Sequence, residues 1–423
     1  MAVIKRLTAL EILDSRGRPT VKATCELSDG TWAAASVPSG ASTGRAEAVE
    51  LRDVGDARYG GLGCRGAVGH VNRDLNESLA GRAFATQADL DRAMIELDGT
   101  TDKSRLGANA ILAVSIAFAR CVAQARRMPL YRHLAQMMGT EPRLPRLTVN
   151  LFSGGKHAGG QVPIQDVLVV PAAARTIDES LAATYAVYQA AALLTRKLYG
   201  ARPLVADEGG LAPPFEDSES MLKVATDAIR LVGFDPGRVV AIAIDVASSH
   251  FYQDGKYHLG GEPLASRQMV ELVGRWVERY PIVSVEDGLA EDDWEHWPAL
   301  RQTLAGRAIT MGDDLLCTNP SRIARAVQTG AADALLLKVN QIGTLTEAAE
   351  ACQLARGAGW AVTVSARSGE TEDDWLADLA VGWAGDYIKI GSITRSERLA
   401  KYNRLLAIEA ETGLPMAPIA EIG

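Results

Sequence analysis

The chain is 423 residues long, 47% hydrophobic and 23% charged, enough apolar material for large buried cores and too much for a disordered chain. Its 52 acidic against 44 basic residues leave a formal net charge of −8. That balance argues against nucleic acid or an anionic membrane as partner, while a local basic pocket for a small anion stays open. The longest apolar runs, Ala110–Ala119 and Val239–Ile244, fall far short of the roughly 18–20 residues of a membrane span. No signal-type apolar region opens the chain, which leads to the expectation of a cytoplasmic protein. Cys25, Cys64, Cys121, Cys317 and Cys352 are scattered and never paired as C-x-x-C, as suits reduced structural thiols, and no His/Cys cluster suggests zinc.

In chain order, the first 60 or so residues alternate apolar runs with turn signals. Ile4–Leu13, Thr20–Leu27 and Thr31–Val37, with Ser28-Asp29-Gly30 between the last two, predict a small antiparallel sheet. From Asn72 to about Met138 the pattern turns helical, most clearly over Asn109–Arg126, where Ile111, Leu112, Ser115, Ile116, Ala119 and Val122 keep three-and-four spacing. Glu141-Pro142-Arg143-Leu144-Pro145 reads as a hinge, which divides the chain into domains 1–138 and 139–423.

Beyond the hinge, short β-rich runs keep ending in a charged residue. PLVA precedes Asp207-Glu208, VVAIAI precedes Asp245, PIVSV precedes Glu286, and AITMG precedes Asp313. ALLL precedes Lys338, AVTVS precedes Ala366-Arg367, and YI precedes Lys389. From Asp245 the intervals are 41, 27, 25, 29 and 22 residues. Such strand-plus-helix units predict a closed parallel barrel, in which strand ends share one mouth. A doubly wound open sheet is the alternative, but no Gly-rich dinucleotide loop follows a strand.

Asp245, Glu286 and Asp313 at one mouth would repel one another unless a cation sits between them. Oxygen-only ligands select a hard ion, most often Mg²⁺. The plain alternative is that such carboxylates cap helices or face water. Lys338 and Lys389 end strands at the same mouth; a lysine buried near a divalent cation has its charged form disfavoured and can act as a base. Alternatively, both lysines simply neutralise the carboxylates. Glu208, in a turn with Gly209 and Gly210, faces them as a candidate acid, an arrangement suited to anti elimination of water. Arg367-Ser368 offers a planar cation and a hydroxyl for a phosphate or carboxylate. The small-residue loop Pro38–Gly44 reads as a lid able to bring oxygens to a metal, and His157 sits in a second Gly-rich loop.

Along nearly its whole length the chain resembles the enolase family. The resemblance rests on DSRGRPTV (Asp14–Val21), PSGASTG (Pro38–Gly44), ELRD (Glu50–Asp53), GANAILAVS (Gly107–Ser115), DEGG (Asp207–Gly210), SVEDGL (Ser284–Leu289), KVNQIGTLTE (Lys338–Glu347), RSGETED (Arg367–Asp373) and AKYN (Ala400–Asn403). It implies an α/β protein: an N-terminal α+β lid domain and a C-terminal modified (β/α)8 barrel. It also implies that Asp245, Glu286 and Asp313 hold a tighter Mg²⁺ and Ser42 helps hold a second. Lys338 would be the base, Glu208 the acid and Lys389 a partner of the substrate carboxylate. Arg367 and Ser368 would grip a phosphoryl group, with His157, Gln165, Asp166 and Ala366 lining the site. A lysine base with Mg²⁺ is a pattern already familiar from enolase-superfamily sites.

The departures cluster around the substrate. Ala366 stands where the family has histidine, Asp166 where it has glutamate, Ile390 where it has a small polar residue, Ser153 where it has asparagine, and His250 where it has glutamate. Lys22 and Ala407 replace the glutamate and arginine of the family's dimer contact, so a homodimer with an altered interface is expected. The reading is a dehydratase acting on a bulkier analogue of 2-phosphoglycerate. An example is 2-phosphonoformylglycerate, giving carboxyphosphonoenolpyruvate in phosphinate antibiotic biosynthesis. The alternatives are a glycolytic enolase and a non-catalytic binding protein.

Overall fold

The computed structural model describes residues 1–41, 43–200 and 204–419. The N-terminal sheet consists of β1 (Ala2–Leu13), β2 (Pro19–Leu27), β3 (Trp32–Ser36) and β4 (Ala83–Phe84), all antiparallel in the order β3-β2-β1-β4. The turn between β2 and β3 forms at Ser28–Gly30, where Gly30 takes φ 87°. Ala33 and Ala35 of β3 are short enough for the helix Ala108–Ala125 to lie close across the sheet. This helix is apolar enough on composition to cross a membrane, but it is buried in the core. Two further helices flank it, Gln87–Asp98, started by a Thr86–Asp89 capping box, and Leu130–Met138, ended at left-handed Gly139.

The second unit is a closed barrel. Its strands are β5 (Arg146–Ser153), β6 (Asp166–Val170), β7 (Ala241–Asp245), β10 (Ile282–Glu286), β11 (Ile309–Gly312), β12 (Ala334–Leu337), β13 (Ala361–Ser365) and β14 (Tyr387–Gly391). A small hairpin, β8 (Tyr252–Gln253) and β9 (Lys256–Tyr257), follows β7. Closure and the predicted strand ends agree with the sequence pattern, but two expectations fail. The barrel is not all-parallel: β6 runs antiparallel to both β5 and β7. The connection 154–165 holds only a single short turn of helix, Gly155–His157, and parallel neighbours need a longer crossover. In addition, the run before Asp207-Glu208 is not a barrel strand. Of that run Pro203 lies outside the described residues, and Val205 makes only an isolated bridge to Leu211.

Leu168, Val170, Ala243, Met311 and Leu336 fill the barrel's interior. The outer core lies between barrel and helices and runs on into the N-terminal sheet. The two units are fastened along a polar seam: Ser39 and Gly369 exchange backbone hydrogen bonds of 2.8 and 2.9 Å, Lys103 pairs with Glu347 at 2.8 Å, and Arg120 pairs with Asp373 and Asp374. Packing is tight where the helix Trp375–Gly382 meets Leu130–Met138, because a Cβ on Gly382 would overlap the Tyr131 carbonyl oxygen. Gly382→Ala is therefore expected to destabilise the fold by about 1–3 kcal/mol, the usual overpacking cost. Denaturant unfolding checks this; an unchanged midpoint would show that the helix pair yields freely.

Candidate active site

Register brings the charges together. Glu286 at the end of β10 lies opposite Asp245 at the end of β7. Because β6 is reversed, its first residue, Asp166, also lies opposite Asp245. Asp313, Lys338 and Arg367 follow β11, β12 and β13, and Lys389 sits within β14. The side chains gather on a tight cavity of about 10 Å³ lined by His157, Gln165, Glu208, Asp245 and Lys338, with Ala366 in its wall. Ser42 lies outside the described residues; its neighbour Ala41 also reaches this cavity.

In the structure the lysines balance the carboxylates. Lys389 Nζ donates to Asp245 Oδ2 at 3.0 Å and to Glu286 Oε2 at 2.6 Å, while Lys338 Nζ donates to Asp313 Oδ2 at 2.5 Å. Burial alone would lower both lysine pKa values, but Asp245 and Glu286 hold Lys389 well above the usual lysine range, and Asp313 raises Lys338. The expectation of a lysine biased toward its neutral form applies beside a divalent cation, which would compete for the carboxylates that favour the ammonium. Burial and the neighbouring Asp245 push the Glu286 carboxyl well above its usual range. Asp245 is instead brought to about 2, because Lys389, Lys338 and His157 outweigh its burial.

A hard divalent ion fits this set. The donors are all oxygens, Asp245 and Glu286 are strand neighbours, and Glu286 Oε1 is sealed from solvent with no hydrogen-bond partner. Asp313 is oriented through its second oxygen by Gln341 Nε2 at 2.8 Å. The expected trio does not, however, form one compact cluster, since Lys389 bridges Asp245 and Glu286. The compact ligand groups among the described residues are Asp287–Asp313–Asp314 and His157–Asp166–Glu208.

The second group faces the lysines. His157 Nδ1 is 2.9 Å from Asp166 Oδ2 and its Nε2 is 3.8 Å from Glu208 Oε1. Ser153 Oγ donates to the other Asp166 oxygen at 2.6 Å, and Asn150 Nδ2 donates to Glu208 Oε2 at 3.0 Å. Burial opposes charge on His157, but Asp166 and Glu208 outweigh it and raise its pKa to about 9. Glu208 is shifted down despite burial, by His157, Arg398 and Lys389, so the candidate acid rests as a carboxylate beside a protonated ring.

On the anion side, both arms of the Arg367 guanidinium meet the Glu47 carboxylate, at 3.0 and 3.1 Å, and one also donates to Asn340 Oδ1 at 3.0 Å. Arg16 Nη1 donates to Ser368 Oγ at 3.2 Å. The buried Arg398 donates to the carbonyls of Arg367 at 2.6 Å and Ser368 at 2.7 Å, fixing the backbone of the grip. The loop after Pro38 folds over the mouth: Arg45 N donates to Glu291 at 3.0 Å, and a Cβ on Gly44 would overlap Cys317 Sγ. Gln165 Nε2 donates to Asp245 Oδ2 at 3.1 Å.

Sequence reasoning missed Glu47, Arg16, Asn150, Gln341 and Arg398. Arg16 and Gln341 lie inside motifs that were recognised without being given roles. Glu47 falls between two such motifs, and Asn150 lies in a strand that the pattern did not separate.

A barrel with carboxylates and lysines converging on its mouth, closed by an N-terminal α+β unit, defines an enzyme of the enolase superfamily. The match to known families is direct: residues 4–134 fit the model described as "Enolase, N-terminal domain", and residues 141–417 fit "Enolase, C-terminal TIM barrel domain". The chain belongs to the enolase family. Its general chemistry is magnesium-dependent dehydration, with which the acidic clusters are compatible.

The His157–Asp166 pair makes a pH prediction. A folded-state pKa of about 9 against an ordinary 6.5 means the pair's stabilisation is fully present below about pH 6.5 and lost as pH rises through about 9. Asp166→Asn should bring the ring's titration, followed by imidazole NMR, down by more than one pH unit. An unmoved midpoint would contradict the pairing.

Proposed function

We propose that the protein is a Mg²⁺-dependent hydro-lyase that removes water from 2-phosphonoformylglycerate to give carboxyphosphonoenolpyruvate, a step of phosphinate antibiotic biosynthesis. The observation that carries the reading is Ala366. Its small side chain stands in the cavity wall beside Arg367 and Ser368 and takes up less of that wall than the family's histidine would, while Lys338, Glu208, Asp245, Glu286 and Asp313 are all retained.

Asp245, Glu286 and Asp313 would hold Mg²⁺, with Ser42 contributing to a second ion; bound there, the metal supplies concentrated positive charge against the substrate carboxylate, whose neighbouring C–H is otherwise very weakly acidic. Lys338 removes that proton. To act as the base its ammonium must first give a proton to solvent, which the contact to Asp313 opposes by favouring the charged form. On the opposite side Glu208 delivers a proton to the leaving hydroxyl. It rests ionised, so the proton comes to it from His157, whose Nε2 is 3.8 Å away, and Asp166 steadies the ring from its other nitrogen. Lys389 pairs with the substrate carboxylate, and Arg367 and Ser368 hold the phosphoryl end. Gln165 orients Asp245. We place the protein in the cytoplasm, working on a small anion rather than on nucleic acid or membrane, as a homodimer.

Glycolytic conversion of 2-phosphoglycerate is the second reading, favoured by the intact Arg367-Ser368, Lys338 and Glu208. Turnover of both compounds with Mg²⁺, followed by absorbance for the ordinary enol and by phosphorus NMR for the analogue, separates the two. Dehydration of the analogue with little turnover of 2-phosphoglycerate is expected. Ala366→His should then lower analogue turnover by about 10²-fold, a typical cost of misplacing substrate. Conversion of 2-phosphoglycerate at or above the roughly 10 s⁻¹ enzyme median, rising further in Ala366→His, would establish the glycolytic reading instead.

A further inference from the structure

Arg16 lies in the N-terminal unit, in the turn between β1 and β2, yet its side chain is only 6% exposed and ends against the barrel. One edge of its guanidinium is held by Asp14, with Nε at 3.2 Å and Nη2 at 3.0 Å from Oδ2. Nη2 also donates to the Ser39 carbonyl at 3.1 Å and reaches the Gly40 carbonyl at 3.5 Å, both in the lid loop. Nη1 donates to Ser368 Oγ at 3.2 Å. Gly369 leaves the space for this: a Cβ there would overlap both Arg16 Nη2 and Asp14 Oδ2. The surrounding backbone is fixed as well, since Ser39 and Gly369 exchange hydrogen bonds and Ser15 N donates to the Glu370 carbonyl at 2.7 Å.

We infer that Arg16 is a positioning residue of the anion grip, joining closure of the 38–41 loop to the orientation of the Ser368 hydroxyl. A serine hydroxyl has one proton and two lone pairs. With Arg16 donating to Oγ, the hydroxyl keeps its own proton to donate, and an anion held by Arg367 is the natural acceptor. The same guanidinium holds the loop carbonyls, so the loop cannot lift without disturbing the grip. Arg367 is buried against Glu47, so a substrate anion has to share or displace that carboxylate, and a preset Ser368 proton favours the exchange. The inference rests on the reading that Arg367 and Ser368 bind the substrate's phosphoryl group.

The test is a double-mutant cycle of Arg16→Ala and Ser368→Ala on the Mg²⁺-loaded protein, with kcat and KM measured for 2-phosphoglycerate and 2-phosphonoformylglycerate and the melting temperature recorded for each variant. Each single change is expected to raise KM about 10- to 100-fold, the share of one charge-assisted hydrogen bond, with a smaller effect on kcat. The double variant should lose little more than the worse single, because both changes remove the same contact. Arg16→Lys, which keeps the charge near Asp14 but lacks the fork, should recover part of the loss, and it carries the cycle if Arg16→Ala does not fold. An unchanged KM with a lowered melting temperature, or losses that multiply in the double variant, would overturn the inference and leave the proposed function standing. A wild-type protein that turns over neither compound would overturn both.

Discussion

Carboxylates buried together in a barrel mouth survive only if positive charge lies in contact with them, and the whole site follows from that constraint. Desolvation pushes Glu286 toward its neutral form, while Asp245 is kept ionised by Lys389, Lys338 and His157. Several carboxylates at the mouth thus face a specific cation: Asp313 faces Lys338, Asp245 and Glu286 share Lys389, Asp166 and Glu208 lie about His157, and Glu47 faces Arg367. Such pairs contribute little net stability, because desolvation offsets most of the attraction, so their value lies in what they can exchange for. Mg²⁺ held by Asp245, Glu286 and Asp313 would compete with Lys338 and Lys389 for these carboxylates, and a substrate anion would compete with Glu47 for Arg367.

Strand direction is what makes these pairs meet. Reversal of β6 puts the beginning of that strand, rather than its end, at the mouth, and so delivers Asp166 next to Asp245 and within reach of His157. The connection between β5 and β6 is accordingly the short His157 loop, in which a Cβ on Gly154 would overlap the Val162 side chain and the Ile164 carbonyl oxygen. The N-terminal unit supplies the remaining walls. Glu47, Arg16 and the 38–41 loop come from it, so the anion side is complete only when both units are in place.

Much of this was legible in the residues. Strand ends at Asp245, Glu286, Asp313, Lys338 and Lys389 stood out because each apolar run stops at a charge, and the barrel puts all of them at one mouth. The turn at Ser28–Gly30 and the helix near 109–126 were equally clear from turn chemistry and spacing. What escaped were features without local signature. The reversed β6 is an apolar run like any other, and its direction is set by the length of the loop before it. The partners Glu47, Asn150 and Arg398 are ordinary polar residues whose roles arise from contacts 58 to more than 300 residues apart or from backbone carbonyls.

The most direct measurement is a calorimetric titration of the protein with Mg²⁺ near pH 8 in two buffers of different ionisation enthalpy. If Mg²⁺ competes with Lys338 and Lys389 for Asp313, Asp245 and Glu286, its uptake weakens the contacts that favour the charged lysines, protons are released, and the apparent binding heat differs between the buffers. Binding with the same heat in both, or no binding at all, would contradict the account of this mouth as a cation site balanced by its own lysines.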